Sequence, residues 1–298
     1  MRKNVVIIGL GKIARYHIAA LGATPQYVVC GVCDIDPHAV ARAECPDVPF
    51  YTNYEQLLDT LHPEIAVIAT PPAIHYAIAL ACVERGVHPF VEKPLATTYE
   101  EVQRFFDAPL RGHYTPMYHT IYGEELIWLE SHCPLGRIDK VRMELSDPYA
   151  DASGRIDAAY IGLGGCWLDS APNALAPLLR LLSEYSLTEI AVSHWRDPQS
   201  GQPYASLLSG RAGKTEVEIE VRWDKGMNRK VTFLEADGHH YVLDHSGQAV
   251  WRDGEELFAY KDENRLTRQY SNLYRLYPER VPTEAMEKQM SDIIYKYI

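Results

Sequence analysis

Four things are scarce in this 298-residue sequence, and each scarcity sets a class of protein aside. Cysteine is thin. Six residues, at 30, 33, 45, 82, 133 and 166, lie scattered rather than gathered into the framework that staples small secreted domains, which points to a reducing cytoplasm. Cys30 and Cys33 have metal-ligand spacing, but a strand through them sends the two side chains to opposite faces. No second Cys or His pair completes a site, so no metal is expected. Positive charge is short as well. With 29 Lys and Arg against 40 Asp and Glu, the formal charge is -11, which argues against nucleic acid or an anionic membrane surface and for a small or neutral substrate. Long hydrophobic runs are missing. Residues 65–81 are broken by Pro71, Pro72 and His75, short of the roughly 20 residues a bilayer span needs. The leader-like start, Arg2 and Lys3 before residues 5–10, is broken by Gly9, Gly11 and Lys12 and reads as a first strand, so the protein is expected to be soluble. Repeats and low-complexity tracts are absent too, and 47% hydrophobic residues suit one large or two ordinary domains.

What is present is alternation. Strands are expected over residues 4–9, 27–34, 65–70 and 88–92, and helices over 12–21, 37–43, 54–60, 75–85 and 99–106, with a last strand near 113–119. Such alternation with short connections predicts a parallel sheet covered on both faces. Beyond residue 121 the rhythm changes. A helix over 124–132, a strand over 137–146 and a helix over 168–182 precede strands over 188–195, 204–209, 215–223, 230–235 and 240–244. Residues 215–223 set Glu216, Glu218, Glu220 and Arg222 against Val217, Ile219, Val221 and Trp223, so one face is charged and the other apolar. The fold class is α/β in two domains, residues 1–121 and 122–298, with a final helix over 284–297 able to pack back on either.

Chemistry gathers at a few places. Residues 5–14 read as strand, turn and helix start, the context in which Gly9-Leu10-Gly11-Lys12-Ile13-Ala14 is a dinucleotide fingerprint. Gly9 permits the tight turn, Gly11 lets backbone approach a pyrophosphate, and Ala14 stands where helix and strand pack closely. Lys12 and Ile13 flank the same helix N-terminus, which faces the phosphates; an ordinary glycine turn is the plainer alternative. Asp34 ends the second strand, where a carboxylate bonds ribose hydroxyls and repels a 2'-phosphate, favouring NAD over NADP. A turn aspartate would look the same. Thr70-Pro71-Pro72, with His75 behind it, lies at the carboxyl edge of the sheet, where ligands bind and where a rigid loop would also serve. Glu92-Lys93-Pro94 closes residues 88–91 at that same edge. Lys93 there can bond a substrate oxygen or move a proton, though spacing alone equally admits a solvated loop lysine. Further on, Gly164-Gly165 leads into a helix start with Asp169 and Asn173 four residues apart on one face. An N-cap role for Asp169 leaves the polar Asn173 unexplained.

Together these motifs resemble the Gfo/Idh/MocA family of nicotinamide-dependent oxidoreductases over nearly the whole chain. The resemblance implies a Rossmann domain followed by an α+β domain with an open, mainly antiparallel sheet that often forms the oligomer interface, hence a homodimer or homotetramer. It implies a substrate cleft between the domains, with Glu92 and Lys93 at the cofactor, NAD or NADP. Many members carry Asp-x-x-x-His after the glycine pair; here Asn173-Ala174-Leu175 looks like the aldose 1-dehydrogenases acting on arabinose or galactose. Carried over, Lys93 polarises or deprotonates the reacting hydroxyl, Asp169 helps the proton leave, and Asn173 orients a hydroxyl. Tyr118 and His119 are implied substrate contacts, although a core or surface histidine fits equally well. Residues 146–151, with Asp147 as a candidate contact, depart from the sugar dehydrogenases where the pocket should be lined. The expected function is an NAD(P)-dependent oxidoreductase acting on a sugar, polyol or related hydroxy or carbonyl compound. Two alternatives stand: transient oxidation by bound NAD in a glycoside hydrolase or lyase, and a non-catalytic dinucleotide-binding protein.

Overall fold

The computed structural model describes residues 2–45, 47–261 and 264–298, apart from the Arg42 side chain. Two compact units emerge. One holds the residues up to His119 together with Leu266–Glu284; the other holds Thr120–Arg265 and Ala285–Ile298. A boundary near residue 121 alone thus does not describe the division, because a late segment of the chain belongs to the first unit.

The first unit contains β1 (Lys3–Ile8), α1 (Ala14–Gly22), β2 (Tyr27–Cys33), α2 (Ala39–Arg42), β3 (Phe50–Tyr51), α3 (Tyr54–Leu61), β4 (Ile65–Ile68), α4 (His75–Glu84), β5 (His88–Glu92), α5 (Tyr99–Gln103) and β6 (Thr115–Met117). Its strands form one sheet in the order β3-β2-β1-β4-β5-β6, with every neighbouring pair parallel. All of β4 and the last four residues of β1 are buried, the continuous apolar reading of strands covered on both faces. Strand order reverses between β1 and β4, which places a binding crevice beyond their carboxyl ends. The last strand is shorter than expected, because a 3-10 turn over His119–Tyr122 follows at once. Another 3-10 turn, Arg104–Phe106, replaces the end of the expected helix after α5. With only two residues, β3 is too short for periodicity to show it.

His88, at the start of β5, shares a 2.9 Å hydrogen bond between Nε2 and Thr115 Oγ1. Burial, helped by the charges of Lys3 and His113, pulls its pKa down to about 4. The unfolded imidazole therefore takes its proton first as pH falls, so stability present above about 6.5 is lost toward about 4. Lowering the pH from about 7 to about 5 should cost about 2 kcal/mol of unfolding free energy through this residue. Denaturant titration at the two pH values checks it, and His88→Gln should flatten the difference.

The second unit contains α6 (Glu124–His132), β7 (Ile138–Asp147), α7 (Cys166–Leu181), β8 (Leu187–Arg196), β9 (Pro203–Ala212), β10 (Thr215–Trp223), β11 (Lys230–Ala236), β12 (His239–Asp244), β13 (Ala249–Arg252) and β14 (Glu255–Ala259). Its eight strands run in the order β14-β13-β12-β11-β7-β10-β9-β8. Only β7 and β10 pair in parallel. In β10, Val217, Ile219, Val221 and Trp223 are buried on the face covered by α7, and the charged partners alternate away from it. The strands β13 and β14 were not expected, yet Asp253-Gly254 between them has φ of 52° and 86°, the positive pair of a two-residue hairpin turn. Two more helices close the chain, α8 (Arg265–Leu276) and α9 (Glu284–Lys296). From Leu266 onward α8 belongs to the first unit, and from Ala285 onward α9 belongs to the second. No described helix is long and apolar enough to cross a membrane.

Candidate active site

The turn between β1 and α1 makes different demands on its two glycines. At Gly9, φ is 94°, and a Cβ would sit 2.6 Å from the Ala69 carbonyl oxygen and 2.8 Å from the Thr70 nitrogen. Only glycine fits a left-handed conformation pressed against the backbone after β4. At Gly11 a Cβ would meet nothing within 4 Å. The protein itself leaves that space open, as the approach of a ligand requires. Beyond it, α1 starts after Ile13 without a side-chain capping bond and without an acidic residue in its first turn. Its orphan N–H groups and the positive end of its dipole suit a pyrophosphate. Lys12 is exposed beside this turn, Ile13 is half-buried, and Ala14 is wholly buried where α1 meets the sheet.

Asp34 follows β2 and has two protein partners. Its Oδ2 accepts the Leu10 N–H at 2.7 Å and its Oδ1 accepts the Asp36 N–H at 2.9 Å. The turn role and the ribose role are therefore compatible, because each carboxylate oxygen keeps a further lone pair for a hydroxyl. Asp34→Ala should weaken NADH and NADPH together, through loss of the Leu10 anchor, but NADH more. Fluorescence titration with both dinucleotides measures the ratio, and an unchanged ratio would leave Asp34 as a loop brace only.

At the edge of β4 and β5 two of the candidate cofactor residues turn inward. His75 is fully buried, and its Nε2 donates to the Thr70 carbonyl at 2.7 Å. Burial pulls its pKa down against the opposing pull of that carbonyl, so the ring stays neutral. It braces the Thr70-Pro71-Pro72 loop from inside. Pro71 is exposed, and the buried Thr70 Oγ1 has no hydrogen-bond partner among the described residues. Glu92 also turns inward. Its Oε1 accepts from His17 Nε2 at 3.0 Å and from the Tyr270 hydroxyl at 2.5 Å, and its Oε2 accepts the Lys93 N–H at 3.1 Å. Burial pushes the carboxyl pKa up, but the His17 and Tyr270 hydrogen bonds and the nearby imidazoles outweigh it and hold the group below the usual range. Lys93 is half-buried just past the end of β5. Tyr118 and His119 are both buried, and His119 Nδ1 lies 2.8 Å from Gln269 Oε1 of α8.

The second unit gathers the other candidates on α7. Asp169 and Asn173 lie one turn apart in its first half; Asp169 is half-buried, while Asn173 is 8% exposed. Asn173 Oδ1 has no hydrogen-bond partner among the described residues. An unmatched buried carbonyl costs about 1–3 kcal/mol, which a ligand hydroxyl would relieve. Asp147, at the end of β7, accepts from Lys230 Nζ at 2.7 Å and from Ser170 Oγ at 2.9 Å. Trp223 Nε1 in turn donates to Ser170 Oγ at 3.1 Å. Asp147 thus braces the helical turn that carries Asp169. Lys230 went unnoticed in the sequence, yet it pairs with Leu145 in register and shares a strand face with Leu234, a charge in apolar phase. Burial pulls its pKa down, and Asp147 opposes that pull.

A parallel sheet of this order, with a glycine turn, an uncapped helix start and an acid after the second strand, defines a dinucleotide-binding Rossmann domain. Residues 3–111 match the model of the Gfo/Idh/MocA oxidoreductase family with an NAD-binding Rossmann fold. An inositol 2-dehydrogenase of Saccharopolyspora erythraea is 35% identical over 115 residues, which are 38% of this chain and 34% of that one. The levoglucosan dehydrogenase of Pseudarthrobacter phenanthrenivorans is 26% identical over 243 residues, 73% of this chain and 62% of the relative. Of that inositol dehydrogenase and of two uncharacterized oxidoreductases of Schizosaccharomyces pombe, the chain spans about a third of the length. The solved UDP-N-acetylglucosamine 3-dehydrogenase of Acidithiobacillus ferrooxidans shares the fold, with a TM-score of 0.80, 14% identity, and coverage of 99% of this chain and 96% of that one.

Proposed function

We propose that the protein is an NAD(P)-dependent oxidoreductase acting on a CH–OH group of a sugar, polyol or related compound, with NAD preferred. One observation carries this reading: Lys93 stands immediately past β5, at the carboxyl edge of the sheet that also carries the glycine turn and Asp34. Gly11, the N-terminus of α1, Asp34 and Thr70 would hold the dinucleotide, and its nicotinamide, when bound, supplies the two-electron acceptor or donor. Lys93 bonds the reacting hydroxyl and takes its proton in the oxidative direction. Asp169 holds the substrate and helps that proton leave, and Asn173, which cannot take a proton, accepts a bond from a neighbouring hydroxyl at its unmatched Oδ1. The names of the inositol and levoglucosan relatives support the same substrate class. The Asn173-Ala174-Leu175 motif favours an aldose oxidised at its anomeric carbon to a lactone. We place the enzyme in the cytoplasm as a homodimer or homotetramer.

A panel of pentoses, hexoses and polyols, followed by NADH and NADPH absorbance, tests the proposal. Steady reduction of the dinucleotide by one of them supports it. Product without net NADH points instead to transient oxidation, and dinucleotide binding with no turnover points to a binding protein.

A further inference from the structure

Glu92 is tied to its surroundings more tightly than a cofactor contact requires. Oε1 receives two donors, His17 from α1 and Tyr270 from α8, and Oε2 receives the N–H of Lys93. The donors are themselves fixed. His17 Nδ1 lies 2.8 Å from the Tyr274 hydroxyl, so both ring nitrogens are engaged. Tyr270 and Tyr274 are one helical turn apart on α8, both fully buried, and the Tyr27 hydroxyl of β2 donates to the Tyr274 carbonyl at 3.0 Å. With Glu92 anionic, His17 donates from Nε2 and accepts at Nδ1, a tautomer assigned from its partners. A buried charge cluster is a poor source of net stability, because desolvation offsets the attraction, but it holds its members in place.

We propose that Glu92 is a positioning residue: its clamped carboxylate fixes the backbone of Lys93, and so the place of the lysine side chain at the sheet edge, without touching the dinucleotide. The inference rests on the reading of Lys93 as the proton-transfer group. The network also explains the need for a carboxylate. Glutamine brings a single acceptor oxygen; facing His17 and Tyr270, it would turn its NH2 donor toward the Lys93 N–H, leaving that amide unbonded.

Glu92→Gln and Tyr270→Phe in the full chain test this through three measurements: amide hydrogen exchange at Lys93, NADH affinity by fluorescence, and kcat with KM on a substrate found by the panel. In Glu92→Gln the Lys93 amide should exchange at least about tenfold faster, while the amides of β4 stay within about threefold. Turnover should fall by about a hundredfold, with KM and NADH affinity within about threefold. Tyr270→Phe keeps the Lys93 bond but loosens the clamp, and about a fivefold loss in kcat with faster Lys93 exchange is expected. An affinity for NADH more than about tenfold weaker in Glu92→Gln, with kcat preserved, would overturn the proposal and make Glu92 a cofactor contact. Unchanged Lys93 exchange in that variant would overturn it too. If Glu92→Gln does not fold, Tyr270→Phe decides alone, and wild-type exchange and turnover there reject the clamp. If the panel yields no substrate, the proposed function fails first, while exchange and NADH affinity still decide the role of Glu92.

Discussion

Lys93→Ala is expected to lower kcat by about two to four powers of ten while NADH affinity stays within about threefold. The split follows from position. Lys93 stands just past β5, whereas the proposed dinucleotide contacts lie mainly on the β1–α1 turn and Asp34, so removing the amine leaves the proposed cofactor anchors intact. Asp169→Asn should act in the same direction, because the amide keeps the shape but cannot accept a proton. Since Asn173 cannot stand in as a base, no neighbour one turn away on α7 compensates. Steady-state kinetics with fluorescence titration of NADH separates the two quantities. Wild-type turnover in both variants would sink the assignment of these residues.

The second large effect concerns folding. Gly9→Ala should destabilise the protein by about 3 kcal/mol or more, because the new Cβ meets backbone that cannot swing away and the residue must hold a positive φ. Gly11→Ala should change stability by less than about 1 kcal/mol, because the same methyl enters open space. It should nevertheless weaken NADH binding by about tenfold or more, since that space is where a pyrophosphate would approach the backbone. Denaturant unfolding and NADH titration on the pair give a crossed result: one glycine serves the fold, the other the ligand. Wild-type NADH affinity in Gly11→Ala would place the phosphates elsewhere.

The sequence disclosed the parts whose signals are local. A buried parallel strand is an apolar run, a glycine turn is a short motif, and β10 alternates over its whole length, so the sheet of the first unit and the two-faced sheet of the second were both legible. Pairing across long separations was not. His17, on the apolar face of α1, reads as a core histidine until Glu92, 75 residues away, is seen to hold it. The tract that becomes α8 is polar enough to pass for a loop, although Leu266, Tyr270, Leu273 and Tyr274 form a helical stripe. The motifs around Glu92 and His75 point to the cofactor edge of the sheet, whereas both side chains are buried. Alternation cannot say which way a side chain turns at the last residue of a strand or the first of a helix.

The late return of α8 has a consequence for biosynthesis. Between His119 and the end of the Leu266–Glu284 segment, a ribosome must add the whole main body of the second unit. At about 5–20 residues per second, that is a delay of roughly 10–30 s, during which His17 and Glu92 have each other but neither tyrosine. The nucleotide-binding unit, though encoded first, is thus completed only once Leu266–Glu284 has been made, and a nascent chain halted before Leu266 should present a glycine turn whose sheet is formed but whose lysine is not yet held.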